Sequence, residues 1–447
     1  MRLVRLALLL CILLPFASVA HASETPAEHA ANVYAQQEMS AAPLHENLPD
    51  YSLPSDKLAK AQHLAKVRVA LHFTAEAWGI VQLVLLLGLG AVAWMRDTAL
   101  RASRNRWVQG YLFLLLLLLA RVLLNLPLSL YGHSLAVKYG FSIQGWGSWF
   151  GDLGKSLALY WLIGGALVML LFFLIHKAPR RWWLVFWVAS IPIVLAGVFL
   201  APLTIDPLFN QFEPLQEHHP DLVAKLEQMK IPADHMFLMK ASAKVTTPNA
   251  YVTGFGASKR LVIWDTSLTK GTSDEVLWMF GHEAGHYVLG HVLQGVLLTL
   301  AILPFVLYLG YRLLQIALLR FGARWRIASQ EDWGALAVIL LVFAVFSVIS
   351  EPVENTISRH IEHAADIYGQ EAIHGLAPDP QAAVKQACDT DGESTLDDPN
   401  PSRFIEFWIY NHPAESRRAA FGKAYNPWAP GLEPKYFKKE RWENRKE

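Results

Sequence analysis

Apolar residues in this chain are gathered in long blocks, without the spacing of an amphipathic helix or the alternation of a half-buried strand. The blocks lie near residues 76–95, 107–130, 156–175, 182–202, 292–315 and 334–350. Each block has the length needed to cross the roughly 30 Å hydrocarbon core of a bilayer as a helix. The pattern therefore predicts an all-α polytopic membrane protein with six or seven transmembrane helices.

The first 22 residues are typical of a bacterial secretory signal. Arg2 and Arg5 precede an apolar stretch that runs to Ala20, and Ala20-His21-Ala22 provides a small-x-small cleavage site. The alternative is an uncleaved first span, although an apolar run of roughly 15 residues is short for one. Residues 23–75 are polar, so we expect them to lie outside the bilayer.

Positive charges in the connections predict the orientation of the helices. They form three clusters: Arg96, Arg101, Arg104 and Arg106; Lys177, Arg180 and Arg181; and Arg312, Arg320, Arg324 and Arg326. All three clusters fall on one face, which the positive-inside rule makes cytoplasmic. The segments 203–291 and 351–447 then share the periplasmic side of a bacterial inner membrane, where their side chains can meet.

Composition excludes several functions. The chain is 53% hydrophobic and 17% charged, and its formal charge of +1 gives no basic excess of the kind that attracts nucleic acid. The lipid bilayer is therefore an expected partner and nucleic acid is not. Cys11 and Cys388 are the two cysteines. They provide neither a disulfide framework nor a cysteine-rich metal site, so any metal must be held by histidine and carboxylate side chains.

The segment His282-Glu283-Ala284-Gly285-His286 is a His-Glu-x-x-His motif in a helical context. Thr272 and Glu275 form a candidate capping box, which indicates that a helix begins just before it. Positions i and i+4 share a helix face, so His282 and His286 can bind one Zn²⁺ while Glu283 acts as general base toward a metal-bound water.

A catalytic zinc requires a third protein ligand, and the segment after the last apolar block provides candidates. Glu354, Ser358, Glu362 and Asp366 recur every four residues and form one polar stripe on a helix. We select Glu362 as the third ligand. Asp366, one turn later, is expected to hydrogen-bond a ligand imidazole or to donate a proton. The competing interpretation of both residues is a solvated helix face.

Three other histidines are weaker candidates for the metal site. His360 and His363 are chemically able to bind a metal but point away from the polar stripe. His291 lies about 140° around the helix from His286, and we expect a surface residue or a partner of a ligand there rather than a ligand. The intramembrane residues Arg121 and Asn125 are expected to face the bundle interior, and we assign them no role.

Alternating residues over Asn249–Thr253, followed by the apolar run Leu261–Trp264, predict a short β-hairpin. An extended peptide can add to the edge of such a strand through main-chain hydrogen bonds, which makes binding tolerant of sequence. The competing interpretation is an ordinary structural hairpin.

These segments together resemble the membrane-integral CAAX prenyl protease type 1 family, which are zinc metallopeptidases of the gluzincin kind. The resemblance is carried by Ile205–Asn210, Pro248–Gly254 continuing through Ser258–Thr266, His282–His286 with His291, Ser358–Arg359 leading to Glu362 and Ala365–Asp366, and Asn411–Pro413 followed by Arg418. It implies a ring of transmembrane helices around a chamber that contains the zinc site.

The resemblance also implies roles for individual residues. His282, His286 and Glu362 match the family's zinc ligands, and Glu283 matches its catalytic glutamate. The strand residues that match the family's substrate site are Asn249, Ala250 and Tyr251. Of the closing pattern, His412 and Arg418 are candidate oxyanion stabilisers, and a structural ion pair explains them nearly as well.

We therefore expect a zinc metalloendopeptidase that acts on peptide or protein substrates. The substrate alternatives are lipidated CAAX tails and damaged membrane proteins. The competing functions are a non-catalytic scaffold or chaperone, for which a degraded ligand set would be expected, and a transporter, for which two repeated halves would be expected. The eukaryotic relatives have seven spans and a site facing the cytosol, which differs from the orientation predicted here.

The expected organisation is a peptidase region made of two segments, 203–291 and 351–422. Transmembrane helices precede the first segment and separate it from the second. Four transmembrane helices occupy 76–202 and two occupy 292–350. Residues 377–404 are rich in Pro, Asp, Gly and Ser, and they indicate a surface insertion. Residues 423–447 are predicted to be a basic tail whose last part, Lys435–Glu447, is solvated.

Overall fold

The structure is a computed structural model that describes residues 24–437. The predicted signal sequence, residues 1–22, lies outside the described residues. The first helices are α1 Pro26–Glu38, α2 Ser55–Gly88, α3 Ala91–Ala102, α4 Arg106–Lys138, α5 Trp146–Leu159, α6 Gly165–Lys177, α7 Trp182–Thr204, α8 Leu215–His218 and α9 Pro220–Glu227. The later helices are α10 Asp265–Lys270, α11 Ser273–Leu289, α12 His291–Trp325, α13 Ala335–Ala372, α14 Pro380–Thr395, α15 Arg403–Ile409 and α16 Glu415–Ala424.

Within the described range, six helical stretches are long and apolar enough to cross a membrane, which confirms the predicted helical membrane protein. They are Ser55–Gly88, Arg106–Lys138, Trp146–Lys177, Trp182–Leu208, His291–Trp325 and Ala335–Ala372. The first begins at Ser55, well before the apolar block at residue 76. No proline interrupts residues 55–75, so the helix extends backward through a segment whose polarity had indicated only an extramembrane position.

The chain divides into two compact units. One comprises residues 70–195 and 297–350, and its core contains the buried side chains of Leu83, Phe113, Phe172 and Trp182. Its basic connections contact one another: Arg96 Nη1 lies 2.6 Å from the Asp332 carboxylate. His176 Nδ1 likewise lies 2.7 Å from the carboxylate of Glu331. These contacts agree with the prediction that the three basic clusters share a face.

The other unit comprises residues 24–69, 196–296 and 351–437. It contains a four-stranded sheet built from β1 Phe212–Pro214, β2 Met236–Met239, β3 Ala250–Thr253 and β4 Arg260–Trp264, in the order β1-β2-β4-β3. The predicted hairpin is confirmed, since β3 pairs antiparallel with β4 and Ala250 lies opposite Ile263. The strands β1 and β2 are additions that the sequence pattern did not indicate.

The predicted surface insertion at 377–404 is wrong for most of its length. Residues 380–395 form α14, which Asp379 caps by accepting a hydrogen bond from the Ala382 N–H at 3.0 Å. Val384 and Cys388, one turn apart, are buried on its inner face. Polar composition indicated a surface insertion here, but the cap and the buried face stabilise a packed helix.

The start of the predicted solvated tail is also packed. The carboxylate of Glu371, fully buried near the end of α13, accepts hydrogen bonds from the backbone N–H groups of Lys435, Tyr436 and Phe437 at 2.6, 2.7 and 2.9 Å. The Tyr425 hydroxyl donates a further bond at 2.6 Å. Because a buried charge is tolerated only when it is fully hydrogen-bonded, this segment is fixed to α13 rather than solvated.

Candidate active site

Helix α11 carries the His-Glu-x-x-His motif in its buried half. The expected capping box begins it: Thr272 Oγ1 accepts from the Glu275 N–H at 3.4 Å, and Glu275 Oε2 accepts from the Thr272 N–H at 3.1 Å. The helix ends at Gly290, whose φ of 75° is the left-handed conformation typical of glycine at a C-terminus. His282 and Glu283 are both buried.

Helix α13 crosses α11 at glycine residues, so that the two backbones touch. A Cβ atom added to Gly369 would lie 2.6 Å from the His282 backbone nitrogen. A Cβ added to Gly285 would lie 2.9 Å from the Ala365 Cα. No side chain larger than hydrogen fits at these positions without movement. This close crossing brings Glu362 of α13 to the two histidines of α11.

The ligand atoms of the three predicted residues converge on one point. His282 Nε2 lies 3.1 Å from His286 Nε2 and 3.1 Å from Glu362 Oε2, and His286 Nε2 lies 3.2 Å from the same Glu362 oxygen. Tetrahedral zinc with ligands at 2.0–2.1 Å holds those ligands about 3.3–3.4 Å apart. Two imidazoles and one carboxylate at this spacing fit a divalent metal ion and leave a further position open for water or substrate.

The outer nitrogens of the two histidines are also bound. His282 Nδ1 donates to Asp366 Oδ1 at 2.8 Å, so Asp366 fixes the tautomer that leaves His282 Nε2 free for a metal. His286 Nδ1 lies 3.0 Å from His291 Nδ1. His291 therefore stands in the same relation to His286 as Asp366 does to His282, and it contacts a predicted ligand while lying outside the candidate ligand group.

The side chain of Arg418, a predicted oxyanion stabiliser, forms ion pairs with two carboxylates. Its Nε and Nη2 atoms donate to the two oxygens of Asp366 at 3.0 and 2.7 Å, and its Nη1 donates to Glu415 Oε1 at 2.7 Å. Its guanidinium also lies over the Trp278 ring, 5.0 Å from the centroid. This geometry holds Asp366 in place. Glu415, three residues before Arg418 on α16, was not identified from the sequence, although the i, i+3 spacing is a recognisable signal.

His412 is the other predicted oxyanion stabiliser, and it reaches the ligand set. Its Nε2 lies 3.2 Å from Glu362 Oε2, and about half of the side chain is exposed. The two alternative ligands lie elsewhere: His360 donates to the Thr356 carbonyl at 2.8 Å, and the His363 ring packs against Phe421. The metal-ligand group found in the described part of the chain contains neither of them.

Strand β3, which packs against α11, forms an edge of the sheet. The Trp264 N–H donates to the Asn249 carbonyl at 3.0 Å, so residues 249, 251 and 253 face β4 with their main-chain groups. Ala250 and Val252 therefore present theirs to the free edge. The Asn249 side chain caps one of these groups, since its Oδ1 accepts from the Ala250 N–H at 2.7 Å. The predicted segment can thus receive an extended peptide.

Comparison with known families accounts for nearly the whole described chain. A family model for the CAAX prenyl protease N-terminal region, with five membrane helices, matches residues 32–211. The model of peptidase family M48 matches residues 210–424, which contain every residue of the site.

Individual relatives agree with these matches. A protein of Bacillus subtilis named as the uncharacterized metalloprotease YhfN is 31% identical over 83% of this chain and 86% of its own. CAAX prenyl protease 1 of Saccharomyces cerevisiae is 31% identical over 43% of each chain. The crystal structure of S. mikatae Ste24p superposes with a TM-score of 0.72 at 21% identity, covering 94% of this chain and 98% of that one, which supports the fold.

Proposed function

Because the chain belongs to peptidase family M48 and is a membrane metallopeptidase, we propose that it hydrolyses peptide bonds with a single zinc ion held by His282, His286 and Glu362. The observation that carries this proposal is the convergence of two Nε2 atoms and one carboxylate oxygen within 3.2 Å of one another. When bound, zinc polarises the scissile carbonyl and lowers the pKa of its water toward about 7.

Glu283 is proposed as the general base. It follows a metal ligand directly on α11, and burial raises the pKa of its carboxyl above the usual glutamate value. A raised pKa brings a carboxylate nearer to the operating pH, where general-base catalysis is most effective. Glu283 would accept the proton of the attacking water and pass it to the leaving amine.

We further propose that the other site residues hold the reacting groups in place. Asp366 and His291 fix the imidazoles of His282 and His286, and Arg418 holds the Asp366 carboxylate in place through two hydrogen bonds. Asp366 was predicted as a catalytic residue, and its contacts favour this positioning role. His412, next to Glu362 and open to solvent, is the stronger candidate for a hydrogen bond to the developing oxyanion.

The substrate is proposed to bind as an added strand along β3. Ala250 and Val252 would form its main-chain hydrogen bonds, and Asn249 must release the Ala250 N–H for that position to pair. The main-chain groups of Tyr251 point toward β4, away from the edge at which Ala250 and Val252 would pair with the substrate. Main-chain pairing imposes little sequence selectivity, which suits both lipidated protein tails and damaged membrane proteins. Arginine clusters on one face favour a site on the periplasmic side of an inner membrane.

A non-catalytic scaffold is disfavoured because the ligand set and the base are complete. The deciding experiment measures zinc content and cleavage of a quenched fluorescent peptide for wild type and Glu283→Gln. We expect about one zinc per chain in both proteins and cleavage by wild type alone. Glu217→Gln, an exposed change outside the site, should cleave normally. An active Glu283→Gln protein, or a wild type that binds no zinc, would contradict the proposal.

A further inference from the structure

The turn between β3 and β4 is held in one tight conformation. Gly254 begins it with a φ of 73°, and a Cβ atom added there would lie 2.3 Å from the Ser258 carbonyl oxygen. The Ser258 hydroxyl donates to the Phe255 carbonyl at 3.1 Å and accepts from the Phe255 N–H at 3.3 Å. Gly254 and Ser258 are both buried. The turn therefore fixes the point from which the side chain of Lys259, its last residue, leaves the backbone.

The half-buried side chain of Lys259 reaches from this turn to the last turn of α11. Its ammonium group donates to the Tyr287 carbonyl at 2.5 Å and lies 3.7 Å from the centroid of the Tyr287 ring. Because α11 ends at Leu289, the Tyr287 carbonyl needs a donor from outside the helix, and a cation is favourable at this end. Tyr287 directly follows the predicted ligand His286. One lysine thus joins the hairpin to the helical turn that carries a predicted metal ligand.

Tyr287 is held by a second part of the sheet as well. Its hydroxyl lies 2.8 Å from Nδ1 of His235, the residue directly before β2. The strands β2 and β4 run parallel, with Met236 opposite Leu261, so His235 and Lys259 leave the same end of the sheet. The last turn of α11 is therefore attached to this end of the sheet through two side chains.

The start of β3 is fixed separately. The Asn249 N–H donates to Ser267 Oγ at 2.8 Å, and the Ser267 hydroxyl donates to the Asn249 carbonyl at 2.8 Å. Ser267 is buried in α10, the short helix that precedes α11. Among the hydrogen bonds of residues 24–437, only the one from Lys259 joins the turn 254–259 to α11. The hairpin is thus tied at both ends of β3, and Lys259 holds the end beside Tyr287.

We propose that Lys259 is a positioning residue that sets the spacing between the peptide-binding edge of β3 and the metal ligands of α11. The inference rests on the proposed peptidase function. A peptide paired with Ala250 and Val252 follows β3, whereas α11 provides two of the metal ligands, so the scissile bond meets the metal only if these elements keep their spacing. A misplacement of about 1 Å costs on the order of 100-fold in rate. Lys259 fixes the spacing through Tyr287 rather than through a ligand atom.

The first test is the kinetics of Lys259→Met in the full-length protein, with a quenched peptide that the wild type cleaves. Methionine keeps the length of the side chain and removes the ammonium group. We expect kcat to fall about tenfold, less than a free misplacement would cause because the His235 contact remains. KM and zinc affinity should stay within about twofold, since the β3 main chain and the three ligands are unchanged. Unchanged kcat with a lower melting temperature would overturn the proposal, because Lys259 would then serve stability alone.

Three further variants assign the effect to the contact with Tyr287. Lys259→Arg provides a cation and a donor at the same place and should restore kcat to within about threefold. Tyr287→Phe keeps both the ring and the carbonyl, so its kcat should also stay within about threefold of wild type. Lys244→Met is the matched control, since the Lys244 ammonium donates to the Phe209 carbonyl at 2.6 Å, away from α11. An equal loss of kcat in Lys244→Met, or no rescue by arginine, would refute the assignment.

A second measurement does not depend on turnover. Zinc-loaded Glu283→Gln protein, with and without Lys259→Met, is titrated with a peptide, with the same peptide ending in a hydroxamate, and with acetohydroxamate alone. The peptide hydroxamate binds β3 and the metal together, so its affinity depends on their spacing. We expect Lys259→Met to weaken this ligand about tenfold and to change the other two less than about twofold. An equal change for all three ligands would overturn the proposal, whereas a Glu283→Gln protein that binds none of them would contradict the peptidase function itself.

Discussion

His291 offers the sharpest test of how the metal site is held together. Its Nδ1 lies 3.0 Å from His286 Nδ1, so a neutral His291 can accept the hydrogen bond that keeps His286 Nε2 free for the metal. Replacing His291 with alanine removes this acceptor and leaves the Glu362 contacts unchanged. Substitutions of such ligand partners usually cost 10- to 100-fold in metal affinity.

The expected loss lies at the lower end of that range. His286 keeps 15% of its side-chain surface exposed, compared with 7% for His282, so water can partly replace the missing acceptor. The acceptor is also neutral, unlike Asp366, and hydrogen bonds to neutral groups contribute less. We therefore expect His291→Ala to weaken zinc binding about tenfold, or about 1.4 kcal/mol.

The assay is a titration of the metal-free protein with zinc against a chelator of known affinity. His291→Asn should retain most of the affinity, because its Oδ1 lies at nearly the same place as the lost Nδ1. His360→Ala is the matched control, since this exposed histidine of α13 donates to the Thr356 carbonyl and lies outside the metal-ligand group. Wild-type affinity in His291→Ala, or an asparagine variant as weak as the alanine variant, would refute the hydrogen-bond argument.

Two further changes test the packing and the charges of the peptidase unit. Gly369→Ala should destabilise the protein by about 1–3 kcal/mol and weaken zinc binding, because the added Cβ would overpack against the His282 backbone. Gly310→Ala is the control, since its added Cβ makes ordinary contact. Equal melting temperatures for the two variants would contradict this prediction. Asp397 has a folded pKa of about 6, above its usual 3.8, so its charge destabilises the fold increasingly as pH rises from about 4 to 6. Asp397→Asn should thus raise the melting temperature above pH 6 and leave it unchanged near pH 3.5. The same shift in the exposed variant Asp56→Asn would show that the burial of Asp397 is not its cause.

The parts of the site that could be predicted from the sequence are those set by local helix geometry. His282 and His286 share a helix face in the structure, as their i, i+4 spacing predicts. The stripe of every fourth residue that contains Glu362 is likewise kept, because it lies within one regular helix. Which stripe residue meets the histidines depends on the crossing of α11 and α13. Gly281, Gly285 and Gly369 permit that crossing, but their meaning becomes clear only once the partner helix is known.

His291 shows where local geometry stops being sufficient. An angle of 140° from His286 assumes one continuous helix, whereas α11 ends at Gly290 in a left-handed conformation and α12 begins at His291. The turn brings His291 back to the His286 imidazole. A glycine before His291 is a recognisable stop signal, but the direction in which the chain leaves it depends on tertiary packing.

The prediction for residues 377–404 was wrong for a different reason. Composition alone favours a loop there, yet Asp379, Pro380 and the spacing of Val384 and Cys388 are ordinary signals of a capped amphipathic helix.

The hydrogen bonds of Glu371 impose an order on the maturation of the enzyme. Lys435, Tyr436 and Phe437 provide three of the donors to this buried carboxylate, and they are synthesised after every residue of the metal site. While the nascent chain lacks them, the buried Glu371 carboxyl of α13 keeps only one of its four described donors, the Tyr425 hydroxyl. The site should therefore reach its final geometry only after residue 437 has been synthesised, which delays proteolytic competence until this last docking step is complete.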